Sequence, residues 1–304
     1  MKEWIELRIS DPAVLRRLPA QLGRDLDSAK AREMWKRIDP AYPGGVRRID
    51  APRGSPELDL AFGILREVFG DPYPHYSAWI HRRYTAKELL GAELLRLIVT
   101  RAFEPEGESC GTAYDYSTAC PRCGAGRTQT SDLHLQLGRL SSGWPGIPRA
   151  QQCQIARTIA EEMIVSSRLA ALMTEQCVTG VELRPVRGCG DTGKMTPLWK
   201  QLTVTGSAGR TVPPTEFGIN PFKPDNTGQY RCPLGHVSGL CVLSEVYVRR
   251  EIWDGSDVAS TEDMTGRRAG VLVPSPMVLI SQRLYRLLLE HKVKGFEAEV
   301  AHLV

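Results

Sequence analysis

No apolar run in this chain approaches the roughly 18 residues that a membrane-crossing helix needs. The opening Met1-Lys2-Glu3-Trp4 lacks the charged and then apolar region of an export signal, so a cytoplasmic location is expected. Cysteine is too sparse for a disulfide scaffold, with eight in 304 residues, and in a chain without an export signal paired cysteines read as metal ligands. Charge of one sign is also scarce. The net value of +4 is too mild to argue for nucleic acid by itself. His-Glu-x-x-His, Gly-x-Ser-x-Gly and any Ser–His–Asp spacing are all missing. That lowers the expectation of an enzyme without excluding one, since triads assemble from distant residues. What remains is ordinary globular composition, 42% hydrophobic and 24% charged, in a chain long enough for one large domain or two smaller ones.

The first hundred residues carry helix-start signals. Asp11-Pro12 and Ser55-Pro56 each place a capping side chain before a proline at the first helical position, and Gly70 is a plausible stop for the second helix. Thr85-Ala86-Lys87-Glu88 is a capping box, and Leu89, Leu90, Leu94, Leu95, Leu97 and Ile98 follow it. These signals predict a helical N-terminal region over residues 1–105. Strand signals begin later: Leu133, Leu135 and Leu137 alternate with His134 and Gln136, and an apolar stretch runs from Leu240 to Val248.

The remainder, 106–304, reads as a tandem duplication with copies at about 110–212 and 226–304, joined by a proline-rich loop. Across positions 166–182 and their counterparts 115 residues on, eight of seventeen residues are identical, including Ser166/Ser281, Arg168/Arg283, Gly180/Gly295 and Glu182/Glu297. Gln154-Ile155-Ala156-Arg157-Thr158 echoes Asp257-Val258-Ala259-Ser260-Thr261. The expected fold is therefore α+β: a helical N-terminal region, then two copies of a knuckle, strand, helix and strand unit related by a pseudo-two-fold.

Each copy opens on a cysteine knuckle, Cys120-Pro121-Arg122-Cys123-Gly124 and Cys232-Pro233-Leu234-Gly235-His236. Glycine lets such a turn fold under an ion, so two half-sites brought together would complete a structural zinc site. The predicted ligands are Cys120, Cys123, Cys232 and His236, with Cys241 or Cys110 as substitutes if His236 faces away. Gly188-Cys189-Gly190-Asp191-Thr192-Gly193-Lys194 has the spacing of a phosphate-binding loop. It places Met195 where a metal-binding hydroxyl belongs and Pro197 where a helix must start, so it reads as a glycine-rich hairpin loop. The densest aromatic and basic segment runs from Tyr73 to Tyr84. Within it Tyr76, Trp79, Arg82 and Arg83 offer the chemistry of a partner-binding surface, against the plainer alternative of packing onto the N-terminal helices.

The two knuckles, the glycines that end the helices and the run Ser244-Glu245-Val246-Tyr247-Val248 resemble the bacterial double-CXXCG motif proteins, a group paralogous in myxobacteria. The resemblance covers roughly residues 110–304. The first knuckle fits the family motif, and the second departs from it in lacking its second cysteine. Some members of such groups look like immunity proteins encoded beside toxins. The resemblance thus implies a binding protein more than an enzyme, with a cognate toxin or a defence-system component as its protein partner. A nucleic-acid-binding accessory protein is the alternative, and an enzyme with a site between the two repeats is a further one.

Overall fold

The structure is a computed structural model that describes residues 1–26, 45–72, 75–100, 102–103, 107–136, 153–189, 195–266 and 272–304. Two compact units divide it: Met1–Arg83 with Asn220–Lys223, and Tyr84–Ile219 with Pro224–Val304.

The first unit is built on strands, not on the helical region that the N-terminal sequence signals predict. Strands β1 (Lys2–Ile9), β2 (Arg24–Asp25), β3 (Arg47–Ala51) and β4 (Ser77–Arg83) form one antiparallel sheet in the order β2-β3-β1-β4. The helix starts are real, but the first helix is brief. The Asp11 side chain caps α1, which spans only Pro12–Leu15. Ser55 caps α2 (Pro56–Phe69), which stops at Gly70 with φ of 72°. Among the described residues, this β-α-β-β-α-β order with β1 central is the split βαβ arrangement. Ile5, Leu7 and Ile9 alternate along β1 into a core shared with Leu58, Phe62 and Leu65 of α2.

The second unit opens on α3 (Ala86–Gly91), where Thr85 and Glu88 form the reciprocal capping box. The leucines beyond it do not continue the helix. Leu94–Val99 is strand β5, with Leu94, Leu95, Leu97 and Val99 all buried. A strand covered on both faces shows no alternation, and so reads like a buried helix. The described residues are mostly β, which corrects the expected α+β fold with its helical N-terminal region.

Two six-stranded sheets make up most of this unit. The first runs β6 (Ala102–Phe103), β10 (Ile155–Thr158), β11 (Met163–Ser166), β13 (Met195–Val204), β12 (Val181–Gly188), β9 (Leu133–Leu135). The second runs β14 (Gly206–Gly209), β19 (Val258–Thr265), β20 (Ser275–Ser281), β5, β21 (Phe296–Leu303), β18 (Val246–Val248). Position by position the two sheets share one pattern: a parallel pair at each end and antiparallel pairs between. Registers match as well. Ser166 lies opposite Trp199 as Ser281 lies opposite Leu94, and Val186 lies opposite Leu133 as Ala301 lies opposite Val246.

The matched strands set the boundaries of the repeats. The counterpart of β13 is β5, and the counterpart of β14 is β6. Each copy thus begins with a strand pair, at Leu94 and at Met195, rather than near 110 and 226. These opening strands are exchanged, because β5 sits inside the sheet of the second copy while β13 sits inside that of the first. Helices α4 (Ser167–Glu175) and α5 (Gln282–Glu290), capped by Ser166 and Ser281, contribute Leu169, Met173, Leu284 and Leu288 to a common core. Small strands β7 (Tyr114–Asp115) with β8 (Thr128–Gln129), and β15 (Phe217–Asn220) with β16 (Lys223–Pro224) and β17 (Cys241–Val242), complete the set. Leu137 and residues 190–194 of the glycine-rich segment lie outside the described residues.

The copies interlock reciprocally after each helix. The Val258 amide donates to the Thr179 carbonyl (3.1 Å), and the Ile155 amide donates to the Lys294 carbonyl (3.3 Å). Gly180 and Gly295 stand at these crossings with φ of 77° and 109°. A Cβ there would lie 2.0 Å from the Val258 oxygen and 2.1 Å from the Ile155 oxygen. Gly255 shares the φ of 77° but has open space around it. Urea unfolding should therefore show Gly180→Ala and Gly295→Ala each losing more than about 2 kcal/mol, against about 1 kcal/mol for Gly255→Ala. Equal losses at all three would contradict the interlock.

Candidate metal centre

Both knuckles are single turns closed by backbone hydrogen bonds. In the first, the Cys120 amide donates to the Ala125 carbonyl (2.7 Å) and the Gly124 amide to the Cys120 carbonyl (2.8 Å). In the second, the Cys232 amide donates to the His236 carbonyl (2.9 Å) and the Gly235 amide to the Cys232 carbonyl (2.7 Å). Gly124 and Gly235 take matching φ values of 75° and 84°, which a side chain would strain. Aligned on these glycines, the second turn is one residue shorter. The missing residue is the second cysteine, and His236 occupies the place of Ala125.

That deletion does not leave a gap. The ligand atoms of Cys120, Cys123, Cys232 and His236 lie within 4.8 Å of one another. Cys120 Sγ is 3.8 Å from Cys232 Sγ, and Cys123 Sγ is 3.4 Å from His236 Nδ1. A tetrahedral ion with metal–sulfur bonds of about 2.3 Å requires sulfur–sulfur edges of about 3.8 Å. The four side chains are therefore placed to hold one metal ion, with the ligands contributed 112 residues apart. Cys120 and Cys232 are buried together with Ala125, and Met264 packs beside them. Cys110 and Cys241 are not members of the cluster.

The loops that carry the knuckles are anchored separately. Glu162, buried at the end of the β10–β11 hairpin, accepts from the Tyr114 hydroxyl, the Thr158 hydroxyl and the Gly107 amide. Arg127 lays its guanidinium 3.8 Å from the Tyr114 ring centroid and 3.9 Å from the Glu162 carboxylate. Burial, then the Glu162 charge, pushes the Tyr114 phenol far above its ordinary range, so it serves only as a hydrogen-bond donor. In the second loop, the buried Asp225 carboxylate accepts from the Tyr230 amide (2.9 Å) and from Arg231 Nε (2.9 Å). Motif reading misses these anchors, since Tyr114 and Glu162 are 48 residues apart and belong to no recognisable spacing.

The four residues expected at a partner surface divide into two pairs. Tyr76 is a core residue: its ring meets Phe62 edge-on at 5.0 Å and its hydroxyl donates to Asn220 Oδ1 (3.1 Å). Arg82 has a side chain only 2% exposed and pairs with Glu3 at 2.9 Å. Neither presents itself to a partner, because β4 alternates and these two fall on its inward side. Trp79 and Arg83 fall on the other side and are exposed.

Backbone amides set the acidity of the first thiol. The Cys123 amide, chief among several donors, draws Cys120 down to about 6. Cys232 moves upward: the Leu234 amide favours its thiolate, but burial and the adjacent thiols outweigh that. In metal-free protein, iodoacetamide alkylation followed by mass spectrometry should show Cys120 reacting with a pH midpoint near 6. Cys232 should require a more alkaline solution. A reversed order would remove the amide argument.

Comparison with protein-family models and with curated proteins finds no match to this chain, so the resemblance to the double-CXXCG proteins rests on the quoted residues alone.

Proposed function

We propose that the ion is zinc, held as a structural staple, and that the chain acts by binding a protein partner such as a cognate toxin or a defence-system component. The observation that carries the zinc reading is the closed ligand set. Three sulfurs and one imidazole at tetrahedral spacing leave no position for a substrate, which is the character of a structural site and not of a catalytic one. Thiolate ligands also select zinc over the hard, oxygen-seeking cations. The partner reading is supported by the family resemblance and by the exposure of Trp79 and Arg83, residue types that supply binding energy at interfaces.

Purified protein should contain about one equivalent of zinc, and cobalt substitution should give the strong thiolate charge-transfer absorption of a sulfur-rich tetrahedral site. Cys120→Ser should lower both the metal content and the unfolding temperature, because binding energy at such sites is largely folding energy. Metal-free protein of unchanged stability would refute the staple.

The partner is tested by affinity capture of the full chain from host extract, with and without nuclease. A protein retained after nuclease treatment supports the reading. Trp79→Ala with Arg83→Ala should weaken its binding by about 2 kcal/mol or more while circular dichroism stays unchanged. Loss of all retained protein on nuclease treatment would favour the nucleic-acid alternative.

A further inference from the structure

Helix α2 covers one face of the N-terminal sheet, and the described residues of that unit place no second layer on the other. By the pleat, the uncovered face takes Lys2, Trp4, Glu6 and Arg8 from β1 and Trp79, His81 and Arg83 from β4. Strands β3 and β2 add Arg48, Asp50 and Arg24 in register beside them. Five cationic side chains thus share this face with two carboxylates.

Both carboxylates are already neutralised within it. Glu6 is only 2% exposed because Arg8, Arg48 (3.0 Å) and His81 (3.0 Å) close over it. Asp50 receives Arg48 at 2.8 Å and Arg24 at 3.8 Å. At the open end of the β1–β4 pair the balance fails. Lys2 and Arg83 are direct cross-strand partners, and neither has an ion pair among the described residues. Like charges directly opposite one another are unfavourable unless an anion is shared between them.

We infer that this face docks an acidic segment of the protein partner, with Lys2 and Arg83 taking its carboxylates and Trp79 supplying the apolar contact beside them. The aromatic geometry separates this occupant from a nucleic acid. Trp4 is stacked on His81 (5.4 Å between centroids, 19° between planes), and Trp79 has the Arg8 guanidinium 4.8 Å from its ring centroid. Each ring therefore has a face already taken by a neighbour on the sheet. Strand-binding platforms instead offer open ring faces to successive bases. Guanidinium and ammonium groups with unfilled donors suit carboxylates without any such demand. The inference rests on the protein-partner reading and gives it a location and a chemistry.

The test uses the full chain and fluorescence anisotropy with three labelled probes: a peptide alternating glutamate and tyrosine, its lysine–tyrosine counterpart, and oligo-dT. The acidic peptide should bind, more weakly as salt rises. Lys2→Glu with Arg83→Glu should reduce that binding by at least about tenfold, with circular dichroism and metal content unchanged. Tighter binding of oligo-dT, binding of no probe, or indifference to the charge reversal would each overturn the inference. The charge-reversed chain in the capture experiment distinguishes the two levels of failure. A partner still fully retained by it would move the docking site elsewhere and leave protein binding standing. A native chain that retains no protein would remove the underlying reading as well.

Discussion

The exchange of β5 and β13 is the constraint on which the second unit depends. Each is an interior strand of its sheet, hydrogen-bonded on both sides, and each belongs by sequence to the other copy. Neither copy can complete a sheet from its own residues. The reciprocal backbone contacts at Gly180 and Gly295 follow from this, because the chain leaving each helix must pass close against the opposite sheet before its next strand begins.

The cluster of Cys120, Cys123, Cys232 and His236 is placed so that an ion held there would tie the same two copies a second time. One knuckle comes from each, so a complete set of four ligands exists only when both are in place. The two knuckles are not equal, and their inequality has a plain cause. The second turn is one residue shorter and has no second cysteine, but the residue after its glycine, His236, lies 3.4 Å from Cys123 Sγ and fills the fourth place in the cluster. A similar drift marks the sheet edges. Arg187 pairs with Asp132 (2.6 Å) in the first copy, and at the matched positions of the second His302 pairs with Glu245 (2.8 Å). The two positions share their geometry and differ in their chemistry.

How much of this was legible depended on how local each cause was. Helix starts at Asp11, Ser55 and Thr85 were readable because a cap is settled within four residues. The echo between 166–182 and its counterpart was readable because α4 and α5 pack in the same way and need the same residues. The four ligands could be chosen from spacing, since a knuckle's geometry is local and only their meeting is not. The N-terminal sheet was missed although Ile5, Leu7 and Ile9 alternate plainly, because the helix-start signals nearby were louder. Tyr76 and Arg82 could not be told from Trp79 and Arg83 without knowing that the segment is a strand, which sends neighbours to opposite sides. Strand exchange left no trace at all. Leu94 finds its partner at Ala301, and no short-range pattern encodes a pairing across two hundred residues.

That long reach bears on how the protein is made. Strand β5 is translated well ahead of its two neighbours, β20 and β21, which follow it by up to about two hundred residues along the chain. At roughly 5–20 residues per second, β5 waits on the order of 10–40 s with both of its edges bare. Its sequence, Leu94-Leu95-Arg96-Leu97-Ile98-Val99, is nearly all apolar. A bare apolar strand of that kind invites pairing with another nascent chain. Arg96, whose guanidinium ends against Glu299 in the finished sheet, is the one charge within it that can discourage such a mispairing while the ribosome completes the rest.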